Sequence, residues 1–129
     1  MIQDDKTAKI ILKDISFQVM AAVFEVHNTL GSGFLENVYE KSLFKELLLR
    51  GISAECQKEL KVFYKGDCVG SYYADVVVND EIILELKTVE NLNRSHEAQL
   101  LNYLKATGYK LGLLVNFGKE KVEHKRLVL

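Results

Sequence analysis

With 129 residues, 48% of them hydrophobic and 27% charged, the chain has the size and balance of one globular domain and is too short for two of ordinary size. Its 17 basic and 18 acidic side chains give a formal net charge of −1, which excludes a polybasic binder working by bulk charge. Proline and tryptophan are absent, so turns must be made by Gly, Asn and Asp.

Residues 1–12 begin Met1-Ile2-Gln3-Asp4-Asp5-Lys6 and are expected to pack loosely. They lack the basic-then-apolar pattern of a leader, and no apolar run approaches the roughly 20 residues of a membrane span. A cytoplasmic protein without membrane association is the expectation. From Asp14 to Thr29, apolar side chains at Ile15, Val19, Ala22, Val23 and Val26 recur with helical spacing. Phe17, Met20, Ala21 and Phe24 broaden that face and predict a largely buried helix. Gly31-Ser32-Gly33 breaks it, and a second helix runs from about Leu35 to Arg50, with Val38, Leu43, Leu47 and Leu48 inward and Gly51 at its stop.

The period then changes. Ala54–Tyr64 and Cys68–Val78 flank Lys65-Gly66-Asp67 as two strands, and Glu81–Lys87 is a third after Asn79-Asp80. Cys56 and Cys68 fall on neighbouring strands but out of register, too far apart for a disulfide, and their spacing matches no structural zinc pattern. Ser95 is the expected N-cap of a third helix to about Thr107, ended by Gly108. Lys110–Asn116 and Lys121–Val128 are the last two strands, the second an edge. The order ααβββαββ predicts a single α/β domain: an antiparallel three-strand meander, a helical crossover and a further parallel strand, flanked by helices.

Residues 1–86 hold 9 basic and 14 acidic side chains and residues 87–129 hold 8 and 4, either opposite charges around one site or ordinary solvated surface. The chemically informative run is Asp75 to Lys87. Strand alternation puts Glu85 and Lys87 on one face and Leu84 and Leu86 on the other, and such polar groups on an apolar strand need a partner or a ligand. A two-residue turn at Asn79-Asp80 would set Asp75 opposite Leu84, on the wrong face. A three-residue loop, 79–81, pairs Asp75 with Glu85, and Asn and Asp tolerate the left-handed backbone it requires. The three-residue register is the expectation. It places two carboxylates and one ammonium together, either around a divalent cation or as a plain salt bridge of Lys87.

Asp75, nine intervening residues and Glu85-Leu86-Lys87 resemble the D…(D/E)-x-K core of the PD-(D/E)XK nuclease superfamily. Gln99-Leu-Leu-Asn-Tyr103 resembles the Q-x-x-x-Y signature of one branch, and Gly33-Phe34-Leu35-Glu36-Asn37-Val38-Tyr39 resembles the motif that names the GxxExxY family of small bacterial and archaeal proteins. The likeness extends over about residues 13–117. It implies a restriction-endonuclease-like fold and hydrolysis of phosphodiester bonds in DNA, in preference to RNA, with Mg2+ or Mn2+. It further implies Asp75, Glu85 and the carbonyl of Leu86 as metal ligands, Glu36 as an additional acidic residue, and Lys87 for the attacking water and the phosphate charge. Gln99 and Tyr103 would buttress the site and touch substrate backbone. Arg94, His96 and Lys105 could add phosphate contacts, with solvated surface the alternative for Arg94 and Lys105. For His96 the reading is a polar lining role rather than metal ligation. His27 is read as structural, and Tyr39 as packing beside the site. Ala74 stands where the superfamily has Pro, and Gly31-Ser32-Gly33 where it often has Gly-Pro-Gly; neither position supplies a ligand. So short a chain leaves no room for a separate DNA-binding domain, so a homodimer, a protein partner or a short structure-specific substrate is expected. The alternative is a catalytically silent module of the same fold that binds nucleic acid or protein.

Overall fold

The computed structural model describes residues 2–129, with side chains from residue 12 onward. Helices α1 (Ile2–Leu30) and α2 (Glu36–Leu49) precede strands β1 (Ala54–Tyr64), β2 (Asp67–Val78) and β3 (Ile82–Lys87). Helix α3 (Arg94–Thr107) then leads to β4 (Leu111–Asn116) and β5 (Glu123–Val128). The strands form one sheet in the order β1-β2-β3-β4-β5, antiparallel except for the β3–β4 pair, which α3 makes parallel by crossing over. This is the expected ααβββαββ order and mixed sheet, a restriction-endonuclease-like arrangement. No helix among the described residues is long and apolar enough to cross a membrane.

Two apolar layers sandwich the sheet. On one face, Val19, Ala22, Val23 and Val26 of α1 and Tyr39, Leu43 and Leu47 of α2 pack on Val76, Val78, Ile82, Leu84, Leu86, Leu113 and Val115. On the other, Leu100 and Leu104 of α3 pack on Leu60, Tyr72, Ala74, Val77, Ile83 and Leu114. The central strands β3 and β4 are therefore apolar on both faces, as a parallel pair covered by helices must be. Glu85 and Lys87 are the polar interruptions of β3.

Several sequence expectations are corrected. Helix α1 starts at Ile2, so residues 2–12 join it; the expectation of loose packing concerns side chains that, up to residue 11, lie outside the described residues. Leu12 packs against the larger core. Phe17 and Phe24 are exposed (77% and 42%), because α1 rests on the narrow stripe 19-22-23-26 and its flank overhangs edge strand β5. Leu48 is also exposed, since the inward stripe of α2 is 39-43-47. The N-cap of α3 is Asn93 rather than Ser95. Its Oδ1 accepts from the His96 N–H at 3.0 Å while His96 Nδ1 accepts from the Asn93 N–H at 3.3 Å, a reciprocal cap that Ser95 cannot match. Cys56 pairs with Val76 and Cys68 with Phe63, and both thiols are free.

Candidate metal and phosphodiester site

The β2–β3 hairpin closes on Asn79-Asp80-Glu81. Val78 pairs with Ile82, Val77 with Ile83 and Val76 with Leu84, and Asn79 and Asp80 both have φ of 52°. That is the three-residue register, and its continuation sets Asp75 opposite Glu85. Regular pairing stops one step earlier, at Val76 and Leu84, while β3 stays paired with β4 through Lys87. The sheet forks there. At the fork the Asp75 carboxylate replaces the lost strand partner: its Oδ2 accepts the Leu86 N–H at 2.8 Å.

Below the fork, the two strands of the β1–β2 hairpin change faces. Tyr72 and Ala74 belong to the α3 layer, yet Val76 and Val78 belong to the α1–α2 layer, although all four are even-numbered. Leu60 and Cys56 differ in the same way on β1. The alternation reverses at Asp75 and at its opposite number, Gln57, which leaves the ladder with φ of 51°. This reversal turns Asp75 toward the helical layer that carries α2. Gln57 Nε2 donates to Asp75 Oδ1 at 3.2 Å and to Glu40 Oε1 of α2 at 2.6 Å.

Burial is the chief cause of the electrostatics here. It pushes the Glu85 carboxyl up to about 7; the Asp75 N–H and the Lys87 ammonium pull it back, and the Glu40 charge adds to the rise. Burial also raises Asp75, against the Leu86 N–H, the Gln57 amide and Lys87, with Glu36 adding to the rise. Burial, Glu40 and Asp75 likewise push the Cys56 thiol up, which makes it a poor nucleophile. Glu85 Oε1 is buried with no hydrogen-bond partner. Lys87 takes part in none of the ion pairs among the described residues, which join Arg50–Glu46, Lys58–Glu55, Lys58–Asp80 and Lys119–Glu123. A plain salt bridge therefore does not account for Lys87. Among the described residues no three His, Cys, Asp or Glu side chains are gathered tightly enough to form a ready-made metal cage.

Two further devices fix the surroundings. The buried Asn116, paired with Lys87 across β3–β4, accepts at Oδ1 from the Val89 and Gly118 N–H groups and donates from Nδ2 to the Val89 carbonyl. Gly118 is required at this crossing, because a Cβ there would lie 2.7 Å from the Val89 backbone. The chain leaving Lys87 is thus pinned. Tyr39 donates its hydroxyl to the Gly31 carbonyl at 2.6 Å, accepts the Phe34 N–H and stacks on Phe117 at 4.4 Å, so it clamps the loop that presents Glu36.

A sequence profile of the PD-(D/E)XK nuclease superfamily matches residues 13–127. The chain belongs to that superfamily. Among solved structures, a protein named SSO0001 aligns with 20% identity and a TM-score of 0.53 over 71% of this chain, a likeness of fold. The chain spans 48% of that protein's length. No curated protein matches the sequence significantly.

Of the residues singled out in the sequence, Asp75, Glu85, Leu86 and Lys87 meet at the fork, and Glu36 lies near enough for its charge to act on Asp75. Those on α3 stand differently. Tyr103 stacks flat on Tyr72, ring centroids 3.4 Å apart; the His96 ring is engaged in the helix cap; Gln99 and Arg94 are exposed. His27 is structural as expected, donating from Nε2 to the Lys119 carbonyl and stacking on Phe117. Sequence reasoning missed Glu40 and Gln57. Glu40 had a signal, one helical turn after Glu36 on the same face. The left-handed turn that swings Gln57 to the site has no signature in a run of β-forming residues.

Proposed function

We propose that the chain is a divalent-metal-dependent nuclease of the GxxExxY branch, hydrolysing phosphodiester bonds of DNA, with RNA as the alternative substrate. The observation that carries this reading is the buried, unpartnered Oε1 of Glu85 beside Asp75 at the fork. An anionic oxygen without a donor in a desolvated position is costly unless a cation or a proton satisfies it. The candidate ligands are hard oxygens and therefore fit Mg2+ or Mn2+: the carboxylates of Asp75 and Glu85 and the carbonyl of Leu86, with Glu36 as an additional carboxylate. So few protein ligands suit Mg2+, which keeps several of its waters.

A divalent ion bound there would polarise a phosphoryl oxygen and lower the pKa of a water. The protein's own part is positional. Asp75 is held by the Leu86 N–H, Glu85 is kept in a dry setting that strengthens its hold on a cation, and Lys87 supplies a positive charge for a phosphate oxygen or for orienting the attacking water. Arg94, His96, Gln99 and Tyr103 on α3 are the proposed contacts to the nucleic-acid backbone. Affinity beyond the metal site would come from a second copy or a protein partner.

Incubation with linear, nicked and branched DNA in Mg2+ or Mn2+ tests the proposal. Cleavage that disappears in EDTA and falls on the order of 100-fold or more in Lys87→Ala is the expected result. Cleavage that Lys87→Ala leaves intact would overturn it, and metal binding with no cleavage of any substrate would favour the silent module.

A further inference from the structure

Gln57 is the residue at which β1 drops out of its pairing with β2. Cys56 pairs with Val76 and Lys58 with Ala74, while Gln57, opposite Asp75, takes φ of 51°. A residue with a Cβ holds that conformation only where its surroundings enforce it. The conformation delivers the side chain: one amide nitrogen donates to Glu40 at 2.6 Å and to Asp75 at 3.2 Å. Two carboxylates from different elements thus share the positive end of one neutral dipole. Without it they would face each other as like charges, and Glu40 would have nothing drawing it toward β2. Gln57 is also exposed, so its side chain can swing into water with little loss of packing.

We propose that Gln57 is a positioning residue that stands in for the cation. Its amide holds Glu40 and Asp75 together while the metal is absent and yields that place when the metal binds. This rests on the metal-dependent reading above. The Gln57 NH2 is a donor and cannot ligate a metal, so a cation that takes the side of Asp75 Oδ1 now facing Gln57 competes with that contact. The competition sets metal affinity without Gln57 touching the metal.

Manganese affinity of the full chain, measured by calorimetry and by the electron paramagnetic resonance signal of free Mn2+, tests this in Gln57→Ala, Gln57→Gly and Gln57→Lys. Removing the competitor is expected to tighten Mn2+ binding about fivefold in the Ala variant. Gln57→Gly should behave alike and also fold without backbone strain, since glycine accepts this φ. Gln57→Lys tethers an ammonium between the two carboxylates. It is expected to weaken Mn2+ binding about tenfold, while its Tm in EDTA equals or exceeds that of the unmodified protein. Equal affinities in all four proteins would overturn the inference alone, as would weaker binding in Gln57→Ala, which would make the side chain a ligand. Absence of Mn2+ binding in every protein, the unmodified chain included, would overturn the metal-dependent reading as well.

Discussion

Glu85 is the clearest case in the site of burial working against charge. Its carboxyl is pushed up to about 7 by burial, from an ordinary value of 4.5, so the metal-free folded state binds a proton more tightly than the unfolded chain. The resulting stabilisation is fully present below about pH 4.5 and is lost as pH rises through 7. Metal-free protein should therefore lose on the order of 2–3 kcal/mol of stability from this group between pH 5 and pH 8. Glu85→Gln should remove that part of the pH dependence, as urea denaturation in EDTA at the two pH values can measure. Identical pH profiles for the two proteins would show that Glu85 is solvated. Divalent cations should reverse the trend, because they bind the charged form.

At the scale of elements, the site depends on a fork and two clamps. Tyr39→Phe deletes the hydroxyl bonds to Gly31 and Phe34 while keeping the stack on Phe117, and should cost about 1–2 kcal/mol in chemical denaturation. Asn116→Ala takes away the side-chain partner of the part-buried Val89 backbone and of the exposed Gly118 N–H. It should cost about 2–4 kcal/mol and loosen the chain that leaves Lys87, which amide hydrogen exchange at Val89 would register. Much of this level was legible beforehand. Period changes marked every element within a few residues except the start of α1, and the alternation around Glu85 together with Asn79-Asp80 selected the register that sets Asp75 opposite Glu85. What stayed hidden depends on where the sheet ends. Strand alternation assumes a flat ladder, so it misses the face reversal at Gln57 and Asp75. An apolar helical stripe does not reveal that α1 overhangs an edge strand, which is why Phe17 and Phe24 lie exposed. Tyr103 likewise shares a helical face with Gln99, yet the hairpin that curls over α3 brings Tyr72 against its ring.

Over the whole molecule, a formal charge of −1 limits what this chain can do with nucleic acid unaided. Without metal, its nonspecific affinity for duplex DNA at physiological salt is expected at the weak end of the usual range, roughly 100 µM. Fluorescence anisotropy with a labelled duplex in EDTA checks this, and submicromolar binding there would mean that a basic surface, rather than the fork, carries recognition. Bound cations would reduce the negative charge of Glu36, Asp75 and Glu85 where a phosphate must approach. Metal occupancy of the fork is thus the claim on which the functional reading turns. Crystals of the protein soaked in Mn2+ and measured at a wavelength with strong manganese anomalous scattering test it most directly. A peak within coordination distance of Asp75 and Glu85, absent in Asp75→Asn crystals treated alike, is the expected result; no peak at the fork, or a peak indifferent to Asp75→Asn, would contradict it.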